Sequence, residues 1–271
     1  MHRRCVRVVE PNVRKCGENP IKLEYSVNLV VDIGNSRIKL GVVDGGRIED
    51  TFCVETLEES LLDDIFSCYP VDKAIAVCSR GEYPSVRKSI EPRVERFVMF
   101  DGSVPVPLTN LYSTPDTLGP DRLAAAVGAR TVYPDNNILV VDFGTAITFD
   151  VVTAAGEYLG GNISPGAMTR YRALHDYTAA LPLLTLPESV VQLGDCTCAA
   201  VGSGVAQGIL YEVEGYIGEM SARYEDLKII FTGGDANYFA KRLKSAIFAT
   251  CDLIIYGLNT ILEHNAKTHS L

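Results

Sequence analysis

The first strongly patterned stretch of the chain is Asn28-Leu-Val-Val-Asp-Ile-Gly-Asn35, a nearly continuous β-branched run that breaks at Asp32, Gly34 and Asn35. A second apolar run, Arg37 to Val43, follows at once and closes on Asp44-Gly45-Gly46. This pattern predicts a β-hairpin with a tight polar corner. The same pattern returns 110 residues later, as Ile138-Leu-Val-Val-Asp-Phe-Gly-Thr145, then Ile147 to Val152, then Ala154-Ala-Gly156. Over the 20 pairs from Leu29/Leu139 to Ile48/Tyr158 seven are identical, among them Asp32/Asp142 and Gly34/Gly144. A duplicated unit predicts two similar domains with a cleft between them. Farther on, Leu227 to Phe231 reads as a buried strand, followed by Thr232-Gly-Gly-Asp235 and a helix over 236–243. Leu118-Gly-Pro-Asp-Arg122 opens a small-residue helix that runs to Arg130. There Pro120 suits the first turn and Asp121 lies where the helix dipole favours a carboxylate. The stretch from Asp195 to Tyr224 reads as one long helix packed closely on a neighbour, in its own domain or across a dimer.

An Asp-x-Gly corner at the end of a buried strand has a chemical use. Glycine lets backbone amides turn toward an anion, and the aspartate offers hard oxygens to Mg²⁺ or its waters. Asn35, Ser36 and Thr145 add donors for phosphate oxygens. One such corner is merely a good turn; two in register point to phosphate. There is no G-x-x-x-x-G-K-[ST] loop. Asp142-Phe-Gly144 lacks the companion motifs of protein kinases, and Gly202-x-Gly204 follows no strand.

Charge narrows the classes. The 271 residues carry a net charge of −9, which disfavours sequence-blind binding to nucleic acid or anionic membranes. A phosphate ligand must then be held by local groups or a metal. Nothing approaches the length of a membrane span, and a cytoplasmic protein is expected. Residues 1–26 carry +3 and form an extension outside the pattern, either a short edge strand with a loose tail or a start placed too early. Cys78 and Cys251 read as small buried hydrophobes. Cys196-Thr-Cys198 has no second cysteine pair at zinc-ligand spacing.

Five ordered motifs, Asp32-x-Gly-Asn-Ser-x-x-Lys39, Gly119-x-Asp-Arg122, Asp142-Phe-Gly-Thr-Ala146, Gly160-Gly161 with Pro165-Gly166, and Thr232-Gly-Gly234, resemble type III pantothenate kinases. These belong to the acetate and sugar kinase/Hsp70/actin superfamily. The resemblance runs from about residue 28 to 262 and includes Ala173-Leu-His with Thr178-Ala-Ala-Leu-Pro182. It implies a duplicated actin-like, ribonuclease H-like α/β fold, with domains at 27–120 and 121–271 flanking an ATP cleft. The implied reaction is phosphorylation of pantothenate by ATP, the first step toward coenzyme A. Asp32, Ile33, Gly34, Asn35, Ser36, Arg37, Ile38 and Lys39 would form a phosphate-binding corner, with Thr145 contacting ATP. Asp121 would accept the proton. Tyr112, Gly119, Pro120, Asp121, Arg122 and Thr197 would hold pantothenate. Asp142 would bind a monovalent cation, K⁺ or NH₄⁺, and Asp32 would hold Mg²⁺, directly or through water. A homodimer with the long helix near its interface is implied as well.

Ser36 stands where the family usually has threonine, and Pro120 stiffens the substrate loop. Two other readings compete: a non-catalytic regulatory relative of the same fold, and a kinase of the superfamily with another acceptor. Retention of Asp32, Asp121 and Asp142 argues against the first, and the Gly119-x-Asp-Arg122 loop is the discriminator for the second.

Overall fold

The computed structural model describes residues 26–79, 81, 84–243, 247–250 and 252–268. The expectations for residues 1–25 and for Cys251 lie outside that set. The chain divides into two compact units, one running to Val132 and resuming at Asp252, the other spanning Tyr133–Cys251.

The first unit holds the strands β1 (Val27–Ile33), β2 (Ile38–Asp44), β3 (Arg47–Val54), β4 (Val71–Cys78) and β5 (Arg96–Phe100), in sheet order β3-β2-β1-β4-β5. The first three form an antiparallel meander, and β4 and β5 add in parallel. Its helices are α1 (Glu59–Cys68), α2 (Pro84–Ile90), α3 (Pro120–Val132) and the last helix of the chain, α7 (Leu253–Thr268). A two-residue strand, β6 (Thr109–Asn110), lies in the run toward α3. β1 is apolar almost throughout because both of its faces are covered. Leu29, Val31 and Ile33 join Leu62 and Ile65 of α1 in one core cluster. α7 also packs on β1, β2 and β4, and Ile255 lies over Gly41 of β2, where any side chain would collide with it.

The second unit repeats the scheme. Its strands are β7 (Ile138–Phe143), β8 (Ala146–Val152), β9 (Glu157–Pro165), β10 (Lys228–Thr232) and β11 (Ile247–Ala249), in the order β9-β8-β7-β10-β11. The first three again form an antiparallel meander and the last two are again parallel. Both sheets therefore share one topology, that of the duplicated actin-like, ribonuclease H-like fold. The helices are α4 (Ala167–Asp176), α5 (Thr197–Arg223) and α6 (Ala236–Ala240). Phe143 sits 4.8 Å from both Phe231 and Phe239, which locks β7, β10 and α6 together. The buried Asp150 accepts a 2.7 Å hydrogen bond from the equally buried Tyr158 hydroxyl.

Three details differ from the sequence-based reading. The offset of 110 holds along β1 and β7 but not beyond their corners. Val43 pairs with Asn28 as Val152 pairs with Ile138, so the return strands align at 109. The first corner, Gly34 to Arg37, is one residue longer, which leaves Asn35, Ser36 and Arg37 standing exposed. Second, the contacts divide after α3 rather than at 120/121, because α3 packs on α7 within the first unit. Third, Cys78 is half-buried rather than fully buried.

The α3–α7 contact is unusually close. A Cβ on Gly257 would overlap the Ala124 carbonyl, and one on Gly128 would overlap the Leu253 carbonyl. Gly257→Ala should therefore destabilise the chain by about 1–3 kcal/mol, since the helices must part to admit a methyl group. A lower urea midpoint at unchanged m-value is the expected result.

Candidate active site

In the first unit the polar groups gather at the C-terminal ends of β1 and β4. β1 and β2 put Asp32 directly opposite Lys39, and β4 puts Val77 beside Asp32 on the other edge. Lys39 Nζ lies 2.7 Å from Asp252, which caps the start of α7 through its carbonyl. Asp121, in the first turn of α3, accepts a 2.8 Å hydrogen bond on Oδ2 from the Ser79 hydroxyl and a 2.9 Å bond on Oδ1 from the Arg122 amide. Three carboxylates, Asp32, Asp121 and Asp252, thus share this end of the sheet with Lys39.

Asp32 is half-buried, with its carboxyl group crowded by surrounding protein. That crowding, with the charge of Asp121 added and only partly offset by Lys39, pushes its pKa from 3.8 up to about 7. A carboxylate so short of positive charge suits a divalent cation, and the donor set is the hard oxygen kind that Mg²⁺ takes. Of the remaining corner residues, Asn35, Ser36 and Arg37 are exposed. Ile33 and Ile38 are fully buried in the apolar cluster, so they bring no side chain to a ligand. Their apolar side chains face the core, and only their backbones lie at the corner.

The loop before α3 brings the expected substrate residues together. Gly119 must be bare, since a Cβ there would press on the Asp121 carboxylate. Pro120 is the first residue of α3. Arg122 is buried, 7% exposed, and its guanidinium lies 5.7 Å from the Tyr112 ring centroid. Tyr112 is fixed through its own amide, which donates to Asn110 Oδ1 at 3.0 Å.

In the second unit Asp142 is the penultimate residue of β7 as Asp32 is of β1, paired with Thr148 on one side and Thr232 on the other. Gly233 adopts a φ of 90° beside it, and a Cβ there would collide with the Asp142 carboxylate and the Phe143 carbonyl. Thr145 is exposed at the corner, with its carbonyl accepting from the Gly166 amide at 3.0 Å and from the Thr169 hydroxyl at 2.7 Å. Thr197 is the first residue of α5, flanked by the exposed free cysteines Cys196 and Cys198. It is thus in the same unit as Asp142 and Thr145, in a different element.

The profile of type III pantothenate kinases matches residues 28–219. The chain belongs to that family. A type III pantothenate kinase of Phocaeicola vulgatus is 39% identical over 241 residues, which is 89% of this chain and 100% of the relative. One from Flavobacterium johnsoniae is 39% identical over 246 residues, 87% and 97% of the two chains. Among solved structures, a Baf family transcriptional activator from Campylobacter jejuni superposes with a TM-score of 0.59 at 23% identity, covering 88% of this chain and 99% of that one. An ethanolamine utilization protein from Carboxydothermus hydrogenoformans gives 0.52 at 14% identity, covering 90% and 92%. These two likenesses concern the fold alone.

Membership of the family makes the chain a phosphotransferase that uses ATP with a divalent metal. Two residues now in the site escaped sequence reading. Ser79 directly follows the apolar run that ends at Cys78, and a polar residue at the end of a buried parallel strand was the available signal. Asp252 gave none, since its role depends on α7 returning to the first unit. The crowding of Asp32 has a measurable consequence in the kinase without nucleotide or metal. Its folded pKa lies above the unfolded value, so its contribution to stability is full below about pH 4 and is lost as pH rises through about 7. Asp32→Asn should raise the melting temperature at pH 8, by roughly 2–4 kcal/mol of stability, and change little at pH 4. Thermal melts in Mg²⁺-free buffer at the two pH values would check this.

Proposed function

We propose that this chain transfers the γ-phosphoryl group of ATP to the terminal hydroxyl of pantothenate in the cytoplasm, with Asp121 as proton acceptor. The observation that carries the reading is the fixed Asp121 carboxylate beside the enclosed Arg122 and its Tyr112 partner. Arg122 supplies a charge suited to the pantothenate carboxylate. Tyr112, Gly119, Pro120 and Thr197 complete the substrate contacts. Asp32, Gly34, Asn35, Ser36, Arg37 and Lys39, with the backbones of Ile33 and Ile38, hold the phosphates, and Thr145 contacts ATP. Asp121 takes the hydroxyl proton as the alcohol oxygen bonds to the γ-phosphorus. The bond from that phosphorus to the β–γ bridging oxygen breaks, and ADP leaves.

Phosphoryl transfer has a loose transition state, so positioning and charge neutralisation carry most of the rate. A carboxylate is a weak base, and a weak base suffices where the proton leaves late. Asp32 would hold Mg²⁺ and Asp142 a K⁺ or NH₄⁺ ion, supplying charge that offsets the phosphates.

ADP release with Mg-ATP should require pantothenate and should be faster in K⁺ than in Na⁺. Asp121→Asn should lower kcat at least 100-fold while the circular dichroism spectrum and ATP binding stay unchanged. A folded parent that releases no ADP with pantothenate in either salt would favour the regulatory relative or another acceptor.

The same reading includes a homodimer through α5. Thr197, Val201, Gly204, Gly208, Tyr211, Gly215 and Gly218 recur at alternating spacings of four and three, which places them on one stripe of the helix. Its four glycines have open space where a side chain would stand, and Tyr211 is 61% exposed. Ile163, Tyr177 and Leu193 of the same unit are exposed as well. Gly208→Glu should turn a dimer into a monomer in sedimentation velocity.

A further inference from the structure

We propose that Ser79 is a positioning residue for phosphoryl transfer, holding the Asp121 carboxylate in the one orientation in which it can take the substrate proton. The inference rests on the assignment of Asp121 as proton acceptor and adds a residue that none of the five motifs contains.

Ser79 is itself rigidly placed. β4 runs parallel to β1, with Ile33 opposite Cys78, and the ladder continues one residue farther as the Ser79 amide donates to the Ile33 carbonyl at 3.0 Å. Its backbone is therefore tied to the strand that ends in the phosphate corner. Its hydroxyl then reaches Asp121 Oδ2 at 2.8 Å, across 42 residues of sequence. The other oxygen, Oδ1, is held by the Arg122 amide at 2.9 Å. That second bond comes from the adjacent residue and moves with α3, so it cannot register Asp121 against the rest of the unit. Among the described residues, only the Ser79 bond links the carboxylate to the sheet.

The bond also leaves the carboxylate able to work. An ionised carboxylate offers about four lone-pair sites. Ser79 and the Arg122 amide use two of them, which leaves acceptor capacity on each oxygen for a substrate hydroxyl. A hydroxyl that donates to Asp121 has given up its only proton and cannot compete as a donor elsewhere. Misplacing a base by about 1 Å costs on the order of 100-fold in rate, so one orienting bond is enough to matter. The crowding of Asp32 beside Asp121 sharpens the need, because a loosened carboxylate would turn away from a like charge.

The test uses the full-length kinase. Ser79→Ala should lower kcat roughly 10- to 100-fold with KM for ATP within about threefold, and Ser79→Thr, which keeps the hydroxyl, should recover most of the rate. Added to Asp121→Asn, Ser79→Ala should cost nothing more, since the two act as one unit. A crystal structure of the Ser79→Ala protein should show Asp121 in a new or mixed rotamer. An additive loss in the double variant, or a raised KM for ATP at unchanged kcat, would mean that Ser79 serves the nucleotide and would overturn the proposal. Should the parent show no pantothenate-dependent turnover, the functional reading falls. The rotamer of Asp121 in the Ser79→Ala crystal still decides the positioning role: an unmoved carboxylate refutes it.

Discussion

The placement of the first unit's chemistry depends on how closely α3 approaches α7. Two glycines, Gly128 and Gly257, let the helix backbones meet without intervening side chains. α7 is in turn pressed on the sheet, with Ile255 over the bare Gly41 of β2. Asp121 and Arg122 ride on the first turn of α3, so the proposed proton acceptor is set by a chain of backbone contacts rather than by flexible side chains. Close-packed interiors transmit displacement, and a methyl group at this crossing would reach Asp121 as a shift of the whole helix.

Around that scaffold the chain solves an electrostatic problem. An acidic protein that handles phosphate has no general positive field to offer, and the candidate site gathers Asp32, Asp121 and Asp252 about Lys39. Lys39 stands opposite Asp32 in the sheet and is ion-paired with Asp252. Burial first, and then the charge of Asp121, raise the pKa of Asp32, and Lys39 offsets them only in part. On the proposed reading, cations taken up with the nucleotide would offset the charge of the phosphates in this acidic chain.

The two sheets show how far duplication extends. Strand order and strand direction are the same in both units, and an aspartate is the penultimate residue of the first strand of each. The corners have diverged. The longer one, with Asn35, Ser36 and Arg37 exposed, offers several side chains to a ligand. The shorter one leaves Thr145 exposed, with its carbonyl tied to Gly166 and Thr169. Two copies of one unit have thus acquired different donors at equivalent positions.

Sequence alone determined the repeated strand pairs, the Asp-x-Gly corners, the helix start at Pro120, the long helix and the family. Each of these is a local pattern, set by side-chain alternation or by turn chemistry within a few residues. Tertiary structure alone decided that α7 belongs with the first unit, and that Asp252 meets Lys39. It also decided that Ser79 holds Asp121, that Ile33 and Ile38 face the core, and that one corner is a residue longer. The Ser79–Asp121 and Lys39–Asp252 contacts join residues 42 and more than 200 positions apart. Their signal is a complementary surface that exists only once the sheet and its helices have packed.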